Sequence, residues 1–198
     1  MKEMMKSVTI DSQAYICPSW QGMGEMTVSL SQKIQKSGQK FDRLIALAKG
    51  GWGWARQLQD LLRIETQSSI QISFYKGIMK TKRVPVVIQS LPISILGEKV
   101  LVYDDVVDSG ETLELAKQYL LTHGAREVVS ASHYIKSWTK TKPDYWVKET
   151  KAWILFPHDV VENMDLIVKK WGNVGKKELA VRFGRLGIEK TIIDFYLA

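Results

Sequence analysis

Cysteine occurs once, at Cys17, in a chain of 198 residues, so no disulfide can form within it, as suits the reducing cytoplasm where we expect it. The opening MKEMMKSVTIDS has no continuous apolar segment and no small-residue cleavage pattern, so no secretory signal is expected. No apolar run approaches the roughly 20 residues that cross a bilayer, which leaves no reason to expect a membrane partner. Histidine is scarce as well. His123, His133 and His158 are scattered and, with a single cysteine, give no zinc-type spacing; a metal here is expected to be oxygen-bound magnesium. Between Thr66 and Gly97 there is no acidic residue at all, while Lys76, Lys80, Lys82 and Arg83 fall close together. What is present is ordinary globular composition, 45% hydrophobic and 25% charged, with length enough for one domain and a proper core.

The net charge is +7, and a second basic group, Lys169, Lys170, Lys176, Lys177, Arg182 and Arg185, lies near the C-terminus. Such a balance suits either nucleic acid or a phosphorylated small substrate, and the clustering beside the acid-free stretch favours the second. Seven tryptophans add stacking surface, most of them expected in packing.

The most informative stretch is Lys99–Lys117, KVLVYDDVVDSGETLELAK. Val100–Tyr103 reads as a buried parallel strand. It runs into Asp104 and Asp105, which then stand at its carboxyl edge, where open α/β sheets bind ligands. Two adjacent carboxylates want cations or hydroxyls. Asp108, Ser109, Gly110, Glu111 and Thr112 follow as a small hydroxyl-rich turn, and Leu113, Leu115, Ala116, Tyr119 and Leu120 recur at helical spacing. A helix start of this kind cradles phosphate, because it offers unpaired amides, the positive end of the helix dipole and hydroxyl donors.

Along the rest of the chain, Met23, Met26, Leu30 and Ile34 mark an amphipathic helix ending at Gly38. Leu44–Ala48 is a second buried strand. Lys49-Gly50-Gly51-Trp52-Gly53 is a glycine-rich turn with one cation; it lacks the third glycine of a dinucleotide fingerprint. Trp54–Leu62 reads as a helix, Ile70–Phe74 and Val84–Ile88 as strands flanking the basic segment, and Glu127–Ser132 as a further strand leading to Lys136. Val160–Trp171, Lys176–Phe183 and Leu186–Leu197 are helical in pattern, the last two with a helix–turn–helix character about Gly184–Gly187.

VLVYDDVVDSGETL resembles the phosphoribosyl pyrophosphate (PRPP) signature of the type I phosphoribosyltransferases: an apolar strand, two acids, a short spacer, then D-[ST]-G-x-T. PDYWVKETKAWILFPHD is similar to the hood of the bacterial xanthine-guanine and archaeal hypoxanthine-guanine members. The resemblance covers roughly residues 41 to 159. It implies an α/β fold, a central parallel sheet flanked by helices, in one domain: a core over about 39–135, a hood from 1–22 and 136–160, and a C-terminal helical extension over 161–198. It implies PRPP, a purine base and pyrophosphate as substrates and product, with magnesium as cofactor.

Carried over residue by residue, Asp104 and Asp105 hold the ribose hydroxyls, directly or through the metal, and Asp108–Thr112 hold the 5-phosphate. Asp108 resembles the acid that takes a proton from the purine. Lys49 and Gly50 match the pyrophosphate loop, where purine enzymes often have Arg-Gly-Gly. The basic stretch between Lys76 and Arg83 matches a loop that closes over the site, although as a charge run it also reads as a solvated hairpin. Lys136 matches the lysine that meets a 6-oxo group, Trp153 the residue that stacks on the base, and Ile154 the residue whose backbone meets its edge. A lysine only donates, which favours guanine, hypoxanthine or xanthine over adenine. His158 departs from the pattern, standing where those families tend to have a second aromatic. A homodimer is the family expectation. The rival readings are a regulator on the same fold that binds PRPP or nucleotide and contacts nucleic acid through the basic C-terminal helices, and a transferase with another acceptor base.

Overall fold

Strand runs that are apolar on both faces need covering from both sides, and two such runs, LIAL at 44–47 and VLVY at 100–103, are wholly buried. The computed structural model describes residues 7–75 and 84–198. Along these residues the chain passes through β1 (Val8–Ile10), β2 (Gln13–Ile16), α1 (Trp20–Lys36), β3 (Arg43–Ala48), α2 (Trp52–Leu62), β4 (Thr66–Tyr75), β5 (Val84–Gln89), β6 (Lys99–Val107), α3 (Glu111–Thr122), β7 (Glu127–Lys136), β8 (Tyr145–Thr150), β9 (Trp153–Ile154), α4 (Val160–Trp171), α5 (Lys176–Leu186) and α6 (Lys190–Leu197). They divide into two compact units, one over residues 24–150 and one formed by the segment up to Met23 together with 151–198.

The larger unit is a six-stranded sheet in the order β5-β4-β3-β6-β7-β8, parallel except at β5. The expected fold class is therefore what the chain adopts. Alternation assigns the faces. Ile45, Leu47, Val100 and Val102 form one core with Leu113, Ala116 and Leu120 of α3. On the opposite face Tyr103 hydrogen-bonds through its hydroxyl to Nδ1 of His133 (2.9 Å), whose Nε2 bonds the hydroxyl of Thr27 on α1 (3.0 Å). Trp54 of α2 packs edge-on against the same imidazole, 6.2 Å between centroids. His133 is thus a hydrogen-bonded core residue. Thr27, not the expected Met26, lies on the buried stripe of α1 with Met23, Leu30 and Ile34, because it supplies that second partner.

Crossovers leave this sheet in opposite directions from its middle. β3 continues through α2 to β4 on one side, and β6 continues through α3 to β7 on the other, so the order reverses between β3 and β6. β4 and β5 pair antiparallel, Tyr75 opposite Val84; the basic residues Lys76, Lys80, Lys82 and Arg83 lie outside the described residues.

The smaller unit is a three-stranded sheet, β1-β2-β9, with α4, α5 and α6 packed beside it. Ile10 and Tyr15 share one core with Leu155, Met164, Ile167, Leu179, Phe183 and Ile193, so the C-terminal helices fold onto the N-terminal strands. Residues 136–150 belong to the larger unit. The last turn is at Gly187, whose φ of +85° caps α5, while Gly184 lies within that helix. Among the described residues, no helix is long and apolar enough to cross a membrane.

Candidate active site at the carboxyl edge of the sheet

β6 is longer than its apolar run implies. It pairs with β3 only as far as Ala46 opposite Tyr103, but stays paired with β7 through Asp104 opposite Ser132 to Val107 opposite Ile135. Asp104 and Asp105 therefore lie on strand backbone beyond the last β3–β6 pair, beside the turn that follows β3. That turn holds Lys49, Gly50 and Gly51. A Cβ on Gly50 would lie 2.6 Å from Oδ1 of Asp105 and 2.8 Å from its Cγ and Oδ2, and a Cβ on Gly51 would lie 2.6 Å from the carbonyl of Leu47 and 2.7 Å from that of Tyr103. The two glycines thus let this turn close down on the aspartate pair and on the strand beneath it. Lys49 is exposed at the turn's start, its carbonyl accepting from the N–H of Trp52 (3.1 Å) and the Ala48–Lys49 peptide cis.

Asp105 is buried, and its N–H donates to Oδ1 of Asp104 (3.0 Å). Burial, and then the charge of Asp105, push the Asp104 carboxyl well above the ordinary carboxylate range. Burial and the same two charges also raise the Tyr103 phenol beneath them. Two adjacent carboxylates that resist sharing their charge form a hard-oxygen donor set suited to a small divalent cation. Among the described residues no three or more acidic, histidine or cysteine side chains gather to hold a metal. One or two carboxylates completed by water and substrate oxygens is how magnesium is usually held, so the pair fits that ion.

After β6, Gly110 takes a φ of +93° and begins α3. The Ser109 hydroxyl accepts the N–H of Glu111 (3.3 Å), and the first turn of α3 presents amides that have no partner within the helix. The loop after β7 lies against this turn. Lys140 N–H donates to the Ser109 carbonyl (3.1 Å), the Thr139 hydroxyl donates to the carbonyls of Val107 (2.8 Å) and Asp108, and a Cβ on Gly110 would meet Thr141 at 2.8 Å. The Trp138 indole N–H donates to Oδ1 of Asp108 (2.6 Å), and the ammonium of Lys136 lies 5.6 Å from the centroid of the same ring. Lys136 is 7% exposed. Burial holds its ammonium below the ordinary lysine value, and the negative charge of Asp108 partly opposes this.

An edge of this shape joins a glycine-started helix turn, a carboxylate pair and a glycine turn at a topological switch point. The phosphoribosyl transferase domain matches residues 22–163, well over half of the chain. The chain belongs to the phosphoribosyltransferase family. It is similar to a xanthine-guanine phosphoribosyltransferase of Gluconobacter oxydans, 26% identical over 158 residues that make up 79% of this chain and 91% of that enzyme. Among solved structures it is similar to a purine phosphoribosyltransferase from Pyrococcus horikoshii, 32% identical with a TM-score of 0.66, covering 72% of this chain and 93% of the other. A Neisseria gonorrhoeae protein of undescribed function, solved with bound ppGpp, matches with a TM-score of 0.66 at 25% identity, covering 77% and 94%. As a phosphoribosyltransferase the chain is a pentosyl-transferring enzyme.

In this phosphoribosyltransferase Lys49, Gly50, Asp104, Asp105, Asp108–Thr112 and Lys136 all belong to the larger unit, on loops, strand ends or the first turn of α3 at the carboxyl edge of one sheet. Trp153 and Ile154 belong to the smaller unit. Trp153 is 38% exposed, and its indole N–H donates to Oδ1 of Asn163 on α4 (2.8 Å). Leu155 N–H donates to the carbonyl of Ile16 (2.9 Å), and β9 is an edge strand; the alternation of a parallel ladder turns the peptide groups of Ile154 toward the open side. His158 stacks on Phe156, centroids 5.2 Å apart.

Trp138, Thr139, Thr141 and Asn163 carry no expectation from sequence. Only Trp138 offered a signal, an aromatic set among cations two residues after Lys136. Four of the seven tryptophans, Trp20, Trp52, Trp138 and Trp153, are exposed, where packing had been expected for most.

Proposed function

We propose that this phosphoribosyltransferase joins a 6-oxo purine, guanine, hypoxanthine or xanthine, to the ribose of PRPP, releasing pyrophosphate and a nucleoside 5′-monophosphate. The observation that carries the reading is the closure of the Gly50 turn onto Asp105: a cation-bearing diphosphate loop and a ribose-binding carboxylate meet at one sheet edge. Within the same unit, the buried ammonium of Lys136 suits a carbonyl acceptor, since it can only donate. The names of the relatives from G. oxydans and P. horikoshii support a purine acceptor.

In this reading the Asp108–Thr112 turn binds the 5-phosphate, anchoring the substrate through a group remote from the reacting bond. Asp104 and Asp105 bind the ribose 2- and 3-hydroxyls and would hold magnesium, which when bound supplies positive charge to the diphosphate. The bond from the anomeric carbon to the diphosphate oxygen breaks, the electron pair leaving with pyrophosphate, and a purine nitrogen forms the new bond on the opposite face. Positive charge develops on the sugar, so no protein nucleophile is needed. Lys49 and the amide of Gly50 stabilise the departing oxyanion. Asp108 accepts the proton that the purine nitrogen loses. Trp153 and Ile154, in the smaller unit, match by resemblance the family's base-stacking and base-edge positions.

The test is pyrophosphate release from PRPP and magnesium with hypoxanthine, guanine, xanthine, adenine, uracil and orotate supplied singly. Release with 6-oxo purines only is expected; release with orotate or uracil instead would overturn the acceptor assignment.

A second reading, a nucleotide-binding regulator on the same fold, is supported by the ppGpp bound to the N. gonorrhoeae relative. On this chain the basic C-terminal helices offer it less: Arg182 is engaged by Glu178 and Asp11, and Lys190 of α6 by Asp194. Tight PRPP binding with no turnover of any base would favour it.

A further inference from the structure

Trp138 is 51% exposed and contributes little to any core, yet it is held firmly. Its loop is pinned on both sides. Thr139 N–H donates back to the Lys136 carbonyl (3.0 Å), the Thr139 hydroxyl donates to the Val107 carbonyl, and Lys140 and Thr141 sit on Ser109 and Gly110. An indole has a single donor, and Trp138 spends it on the Asp108 carboxylate. Its ring face meanwhile lies beside the Lys136 ammonium, a cation–π geometry.

We infer that Trp138 is a positioning residue: it fixes the Asp108 carboxylate through the indole N–H and the Lys136 ammonium through the ring, so that proton acceptor and purine-recognising cation keep one spacing. A short side chain on an exposed turn otherwise samples several rotamers, and a misplacement of about 1 Å costs reaction rate more than binding. With one oxygen tied to the indole, the other is oriented to accept the proton. This inference rests on the purine-transfer reading above.

The test is a double-mutant cycle on the full chain with Trp138→Phe, Asp108→Ala and both, assayed with PRPP, magnesium and hypoxanthine. Trp138→Phe keeps a ring beside Lys136 and removes only the donor. It is expected to lower kcat about 5- to 30-fold while the KM for PRPP stays within about twofold. In the Asp108→Ala background the same change is expected to alter kcat by less than about twofold, because Trp138 acts through Asp108. An equal loss in both backgrounds, or a rise in the KM for PRPP with kcat unchanged, overturns the inference.

A second readout needs no turnover. In protein labelled with 15N-tryptophan, the indole resonance missing from Trp138→Phe is expected to shift in Asp108→Ala; an unmoved resonance means no hydrogen bond, and the inference falls. A wild-type protein that makes no nucleotide, with the indole shift present, instead strikes the purine-transfer reading on which the positioning role depends.

Discussion

Gly50→Ala separates the chemistry of the site from the stability of the sheet. The backbone at Gly50 is not in the left-handed region, so alanine can adopt it, and the difficulty is space alone. The new methyl would sit 2.6 Å from Oδ1 of Asp105, which must retreat by about 0.8 Å to reach the 3.4 Å where ordinary contact begins. A side chain can do this by leaving its rotamer, so the cost is about 1–3 kcal/mol. At this chain length that lowers the Tm by about 2–12 °C. The displaced carboxylate is the one assigned to ribose and metal, and a shift of this size lowers kcat about 100-fold.

Gly51→Ala provides the contrast, because its methyl would strike the carbonyls of Leu47 and Tyr103, at 2.6 and 2.7 Å, in the two central strands. Backbone of that kind cannot retreat, and the cost rises to about 3–5 kcal/mol. Differential scanning fluorimetry and initial rates of pyrophosphate release, measured on both variants, read the two effects separately. A Gly50→Ala protein with wild-type kcat, or one as unstable as Gly51→Ala, would refute the reasoning.

Three further outcomes are expected. Burial alone would raise the Asp144 carboxyl, but its Oδ2 accepts from the Ser130 hydroxyl (2.6 Å), the Lys117 ammonium (2.9 Å) and the Ser130 N–H (2.7 Å), which together hold it below the ordinary value of 3.8. Its contribution is therefore present above about pH 4 and lost as pH falls through the lower folded value. In urea unfolding, Asp144→Ala should be about 1–2 kcal/mol less stable at pH 7, allowing for its partial exposure, with the gap narrowing toward pH 3. Tyr103→Phe leaves Nδ1 of a buried His133 without its partner and should cost about 1–3 kcal/mol with little change in KM for either substrate, checked by denaturant unfolding and initial rates. Because burial lowers the Lys136 ammonium, kcat/KM for a 6-oxo purine should decline at a lower pH than an ordinary lysine would impose; Lys136→Arg, which stays charged, should push that decline to higher pH, the base's own ionisation being common to both.

Much of the edge was legible because it is local. The strand, the two acids and the D-S-G-E-T turn are contiguous, and their order alone places them at a strand's carboxyl end. The length of β6 was not: charge at Asp104 ended the apolar run, but hydrogen bonding to β7 carries the strand on to Val107. The role of Trp138 was invisible for another reason. It depends on a loop 30 residues away from Asp108 folding onto the turn, a long-range contact that no periodicity records. Thr27 replaced Met26 on the buried stripe because a core histidine needed a partner. The helices after residue 160 showed their period, but nothing local indicated that Ile10 and Tyr15 would share their core.

The most direct measurement follows one tube of protein, magnesium, PRPP and hypoxanthine by phosphorus-31 NMR. The account predicts that PRPP resonances give way in equal amounts to pyrophosphate and a nucleoside 5′-monophosphate, and only when the purine is present. Unchanged PRPP, or its loss at the same rate without purine, would contradict the assignment of this edge as a site of phosphoribosyl transfer.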